Sequence, residues 1–125
     1  MLKHLSPGTK SSITRSIVTA FKTYMSNIEW NEDQYKLEHF IQEWKQYIEQ
    51  HASWYKNLDE EIKGSPIFHE ELAVKINETV QKILTERPTD EQIQQVESLL
   101  EQHNMTDVSY SCKEEARFLI DKLSS

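Results

Sequence analysis

A chain of 125 residues carrying 21 acidic and 14 basic side chains, formal charge −7, can bury one core but has no room for a second, cofactor-sized domain. Two glycines and three prolines among abundant Glu, Gln, Lys, Leu and Ile exclude a turn-rich β architecture and predict an all-α fold. No apolar run approaches the ~20 residues that cross a bilayer, the start lacks an apolar signal stretch, and the lone Cys112 cannot form an internal disulfide, so a cytoplasmic protein with no membrane contact is expected.

In chain order, residues 1–10 read as a flexible arm. A first helix is predicted from Ser11 or Ser12 to about Ile28, with Ile13, Ile17, Val18, Ala20, Phe21, Tyr24, Met25 and Ile28 on one face. Asn31 and Gln34 then form a capping-box-like pair, and Trp30 and Tyr35 occupy the two positions of a hydrophobic staple. From there Leu37, Phe40, Ile41, Trp44, Tyr47, Ile48, His51, Trp54, Tyr55, Leu58 and Ile62 project within about 140° of one another, which predicts one uninterrupted helix over residues 32–63.

Gly64, Ser65 and Pro66 stand in the order of helix stop, cap and first turn. A third helix follows to about Glu86, its stripe made of Phe68, Leu72, Ala73, Ile76, Val80, Ile83 and Leu84, with Ile67 and Val74 outside it. Pro88 ends that helix. Two short helices close the chain, one capped by Thr89 with Gln92 and the other by Ser111 with Glu114. Their inward residues are Ile93, Val96, Leu99 and Leu100 on one, and Ala116, Leu119, Ile120 and Leu123 on the other. The expected architecture is a single-domain bundle of about five helices: a three-helix core over 11–87 with one long central helix, and a helix-linker-helix pair over 88–125.

Thr89, Gln92, Ile93 and Leu99, followed after a polar linker by Glu115, Ala116, Leu119, Ile120 and Leu123, resemble a short C-terminal module that recurs in bacterial and phage proteins. The resemblance covers residues 88–123, and residues 1–87 resemble no family. Some hosts of the module handle DNA, so it implies an accessory or adaptor role and a phage or mobile-element origin. The linker here departs from the module's basic one: His103 to Cys112 holds Asp107 and no Lys or Arg.

Residues 1–28 hold Lys3, Lys10, Arg15 and Lys22 and no acid, whereas every later stretch is net acidic. Lys10, Arg15 and Lys22 are therefore the candidates for an anion or nucleic-acid contact, although four charges fall short of a dense basic patch and the net charge repels DNA. Local pairing with the acidic second helix is the expected use of that charge.

The aromatics between Trp30 and Tyr55 fall on the apolar stripe and are expected in the core. The distal end of the long helix, at Trp54 and Tyr55, is the candidate partner surface or homodimer contact. Phe118 lies on the polar side of the last helix and is expected to pack the helix pair onto the long helix; exposed instead, it would form with Arg117 an aromatic-plus-arginine pair of the kind that anchors interfaces. The histidines 4, 39, 51, 69 and 103 never pair at the spacing of a helical metal site, and no glycine-rich phosphate loop exists. Cys112 sits in the first turn of the last helix, where the macrodipole lowers a thiol pKa, but with no neighbouring base it reads as structural. The chain is thus expected to be a non-enzymatic regulator or accessory factor without cofactor or metal, whose partner is another protein.

Overall fold

The computed structural model describes residues 5–106 and 108–124, and the regular structure among them is all helical: α1 (Pro7–Asn27), α2 (Leu37–His51), α3 (Ser53–Lys56), α4 (Glu60–Lys63), α5 (Pro66–Thr85), α6 (Asp90–Gln102) and α7 (Lys113–Ser124). The chain divides into two compact units, Met1–Val80 and Gln81–Ser125.

α1 begins earlier than its apolar periodicity suggests. Ser6 caps it, its Oγ accepting from the Thr9 amide at 3.1 Å, and Pro7 fills the first position, where a missing N–H costs nothing. The arm expected over residues 1–10 is therefore helical from Pro7 onward, while residues 1–4 lie outside the described residues. The predicted face of α1 is the buried one: Ile13, Ile17, Ala20, Phe21, Tyr24 and Met25 are all buried.

The link from α1 to α2 corrects the predicted cap. α1 ends in a Schellman turn, with the Trp30 amide donating to Met25 O at 2.7 Å and the Glu29 amide to Ser26 O at 3.0 Å. Glu29 and Trp30 both adopt positive φ, 53° and 56°. That geometry turns the Trp30 ring inward, edge-on to Phe21 at 6.1 Å, and Tyr35 meets the same ring at 5.9 Å. Trp30 and Tyr35 thus pack on Phe21 rather than on a helix of their own. Asn31 Oδ1 accepts from the Asp33 amide, an Asx turn, so its side chain closes a loop and caps no helix. α2 starts only at Leu37, after a Lys36 cap whose amide donates to Tyr24 Oη at 3.3 Å.

α2 runs antiparallel to α1, since Tyr24 meets Lys36, Phe21 stacks edge-on against Phe40 at 5.2 Å, and Trp44 Nε1 donates to Ser16 Oγ at 3.1 Å. The helix predicted as unbroken over 32–63 is instead three pieces. Ala52 takes φ −98°, ψ 107°, and the chain folds back so that α3 touches both α1 and α2. Burial overrides propensity here: the turn packs Ala52, 6 % exposed, and places the Trp54 ring on Trp44.

The second unit keeps the predicted helix pair. Thr89 and Gln92 form a complete capping box, each side chain bonding the other's backbone N–H at 3.1 and 3.0 Å. α6 closes in a second Schellman turn, with Asn104 at φ 54° and the Met105 amide on Leu100 O at 2.9 Å. α7 opens at Lys113, one residue later than predicted, and the Ser111 amide donates to Glu115 Oε1 at 2.8 Å.

α6 and α7 run parallel. At their starts the Lys113 amide donates to Glu86 O and Gln92 Nε2 donates to Lys113 O; at their ends His103 Nε2 donates to Leu123 O at 2.9 Å. The linker must therefore travel back along about 20 Å of helix, within reach of a ten-residue extended segment. Val96, Cys112 and Ala116 are essentially unexposed in this unit, with Ile83 also buried.

Candidate functional site

The aromatic end of the stripe is built on a polar anchor. The Ser16 hydroxyl donates to Ile13 O at 2.6 Å and accepts from Trp44 Nε1, so the one polar atom of a ring that is 2 % exposed is satisfied. Trp54 stacks on Trp44 at 6.4 Å and 30°, Tyr55 stands edge-on to Trp54 at 5.9 Å, and Lys63 Nζ sits 4.7 Å from the Tyr55 ring centre. Trp54 and Tyr55 are consequently half-buried. Among the described residues, Trp54 Nε1 is a buried donor with no acceptor, an arrangement that costs about 1–3 kcal/mol.

The most exposed large apolar side chains lie elsewhere. Ile67 and Val74 on α5 are 59 % and 58 % exposed. Seven residues apart on one helix, they lie about 20° from each other around the axis and about 10 Å along it, on the side away from the buried Phe68, Leu72 and Ile76. Glu70 and Glu78, both exposed, stand one turn before and one turn after Val74. This face is two apolar side chains within an acidic rim. Its signal was present in the sequence, since both residues fall outside the helix's apolar stripe, but periodicity treats such residues as exceptions.

The remaining candidates lie on α7 and α1. Arg117 is exposed on α7, and Phe118 is half-buried with Lys122 Nζ at 5.9 Å from its ring centre. On α1, Arg15 and Lys22 share a face, seven residues apart, but Lys10 lies more than 100° away from both, and Arg15 Nη2 donates to Ser12 Oγ at 3.3 Å.

Two shallow depressions are lined by polar and apolar side chains together. One of about 530 Å³ is bordered by Tyr24, Ile28, Gln34, His39, Glu43 and Gln46, and one of about 570 Å³ by Glu91, Gln94, Gln95, Ser98, Leu99 and Ser124.

Cys112 is 1 % exposed. Burial pushes its thiol up from the ordinary value, the amides of Glu115 and Glu114 pull it partly back, and their carboxylates push it up again. The net rise reverses the lowering expected from the macrodipole alone. A thiol held neutral in the fold stabilises fully below its unfolded pKa, and that stability is lost as pH rises through the raised one. The urea midpoint of the second unit is therefore expected to fall above about pH 9 more steeply in the native sequence than in Cys112→Val, measured by amide resonances of α6 and α7.

No helix of the described residues is long and apolar enough to cross a membrane. The chain matches no protein-family model, no curated protein and no solved structure.

Proposed function

We propose that this chain is a non-enzymatic accessory or regulatory protein that acts by binding another protein, with the outward face of α5 as its docking surface. The observation that carries this reading is the pair Ile67 and Val74, exposed at one helical phase with Glu70 and Glu78 around Val74. An apolar pair costs water-exposed area that a partner's apolar side chains recover on docking, and the acidic rim selects a partner with Lys or Arg around its own apolar residues. Arg117, exposed on α7, and Phe118 beside it are the contact that the second unit offers.

Capture from a lysate with two baits, the native sequence and Ile67→Asp/Val74→Asp, tests this. A protein retained by the first and lost at least tenfold on the second is the expected result. Equal retention by both removes α5 as the surface. Retention of nucleic acid that weakens steeply with salt and is lost in Lys10→Glu/Arg15→Glu/Lys22→Glu would instead support a nucleic-acid-associated factor acting through α1.

A further inference from the structure

Residues 52–63 carry a helical phase that the fold does not use. Drawn as one helix from Leu37, the chain would place Trp44, Tyr55 and Ile62 within about 20° of one another. It leaves that path at a single residue, Ala52, although alanine is the strongest helix former and neither Gly nor Pro stands between His51 and Lys63. The fold-back sets Trp54 against Trp44 at 6.4 Å between ring centres, whereas ten residues of continuous helix would separate them by about 15 Å along the axis.

The folded-back segment is lightly held. α3 and α4 are four residues each, neither contains a buried residue, and neither has a side-chain hydrogen bond at its N-cap. The Trp54 indole N–H is buried there without an acceptor. A continuous helix would give up the Trp44–Trp54 stack and the contacts of α3, and would require α5, joined to Lys63 through Gly64 and Ser65 alone, to reseat its buried Phe68, Leu72 and Ile76. It would gain hydrogen bonds across Ala52 and across Asn57–Asp59, and would bring the Trp54 N–H to water.

We infer that Ala52 is a hinge between two forms of residues 52–63: a folded-back form, in which Trp54 and Tyr55 are drawn against Trp44 and beneath Lys63, and a continuous helix from Leu37 to Lys63, which presents Trp54, Tyr55, Leu58 and Ile62 to a partner. Only the use of the extended form rests on the protein-binding reading; the hinge itself does not, and its test reads the chain alone.

The test is NMR on the full chain. Asn57→Ala/Asp59→Ala replaces two weak helix formers, both exposed. It is expected to move the Ala52 Cα shift toward the helical value and to remove the cross-relaxation between the Trp44 and Trp54 rings. Adding Ser53→Pro bars a helical Ala52 and suits the first position of α3, so it is expected to restore both signals. Both signals unchanged in the double variant, or a helical Ala52 shift that survives Ser53→Pro, overturns the hinge. Should the double variant unfold, relaxation dispersion of the native sequence decides: exchange confined to residues 52–63 supports the hinge, and flat profiles there overturn it.

Discussion

Replacing Trp44 with alanine is expected to lower the stability of the first unit by about 3–5 kcal/mol, the range for emptying a large buried aromatic site. Trp44 is 2 % exposed, stacks on Trp54 and holds Ser16 across α1 and α2. Since a domain of this size is held by only about 5–15 kcal/mol, Trp44→Ala removes a large part of the total. The hydrogen bond can be separated from the packing. Ser16→Ala strands the indole N–H in the core and is expected to cost about 1–3 kcal/mol. In a Trp44→Phe background, where no N–H remains, the same change is expected to cost measurably less. Urea titration followed by amide resonances of α1 and α2 reads these values for the first unit alone. Additive costs in the double variant would show that the Trp44–Ser16 bond contributes nothing.

In the second unit, Ala116→Asp is expected to have the largest effect, about 3–5 kcal/mol, comparable to stranding a charge at a buried site. Ala116 is 0 % exposed, as is Val96, and the neighbouring Cys112 is 1 % exposed. A carboxylate at that position would be held out of water. Its folded pKa would be raised, so the variant's loss relative to the native sequence is expected to be smaller near pH 3 than at pH 7. A pH-independent loss would point to steric overpacking instead. Resonances of α6 and α7, followed in urea at both pH values, distinguish the two.

Helix identity was legible wherever the signal is local. Thr89 and Gln92 satisfy each other's backbone within one turn, so their spacing alone predicts the start of α6, and Pro66 and Pro88 act through sterics confined to adjacent residues. The start of α7 shows how narrowly local reasoning can miss: Ser111 precedes a pair of glutamates, and its amide bonds Glu115, four residues on. The helix opens after Cys112, whose small thiol is unexposed while the Ser111 hydroxyl stays at the surface.

The long helix fails for a different reason. Its phase holds at Phe40, Trp44 and Ile48, which are buried, but Leu37 is exposed and the helix stops at His51; a helical wheel records direction around an axis and not how far a helix can run before its stripe lacks cover. α1 offers α2 a buried face of limited length, and beyond it Trp54 finds a better surface on Trp44 than in water. Likewise Asn31 has the chemistry of a cap, but the Schellman turn before it, with Trp30 at φ 56°, commits that stretch to turns packed on Phe21.

For the candidate surface, the sequence placed Ile67 and Val74 off the stripe of α5, and their exposure followed from that phase. For Trp54 and Tyr55 it could offer only an apolar direction, and whether that direction met water or another ring depended on the fold-back at Ala52. The sequence by itself determined that the chain is helical, where most helices begin, and which residues of each share a face, because capping, proline sterics and 3.6-residue periodicity act within a few residues. Only the tertiary structure decided where the long stripe breaks, that α6 and α7 run parallel, and which aromatic rings stay covered, because those outcomes depend on burial between segments distant in sequence.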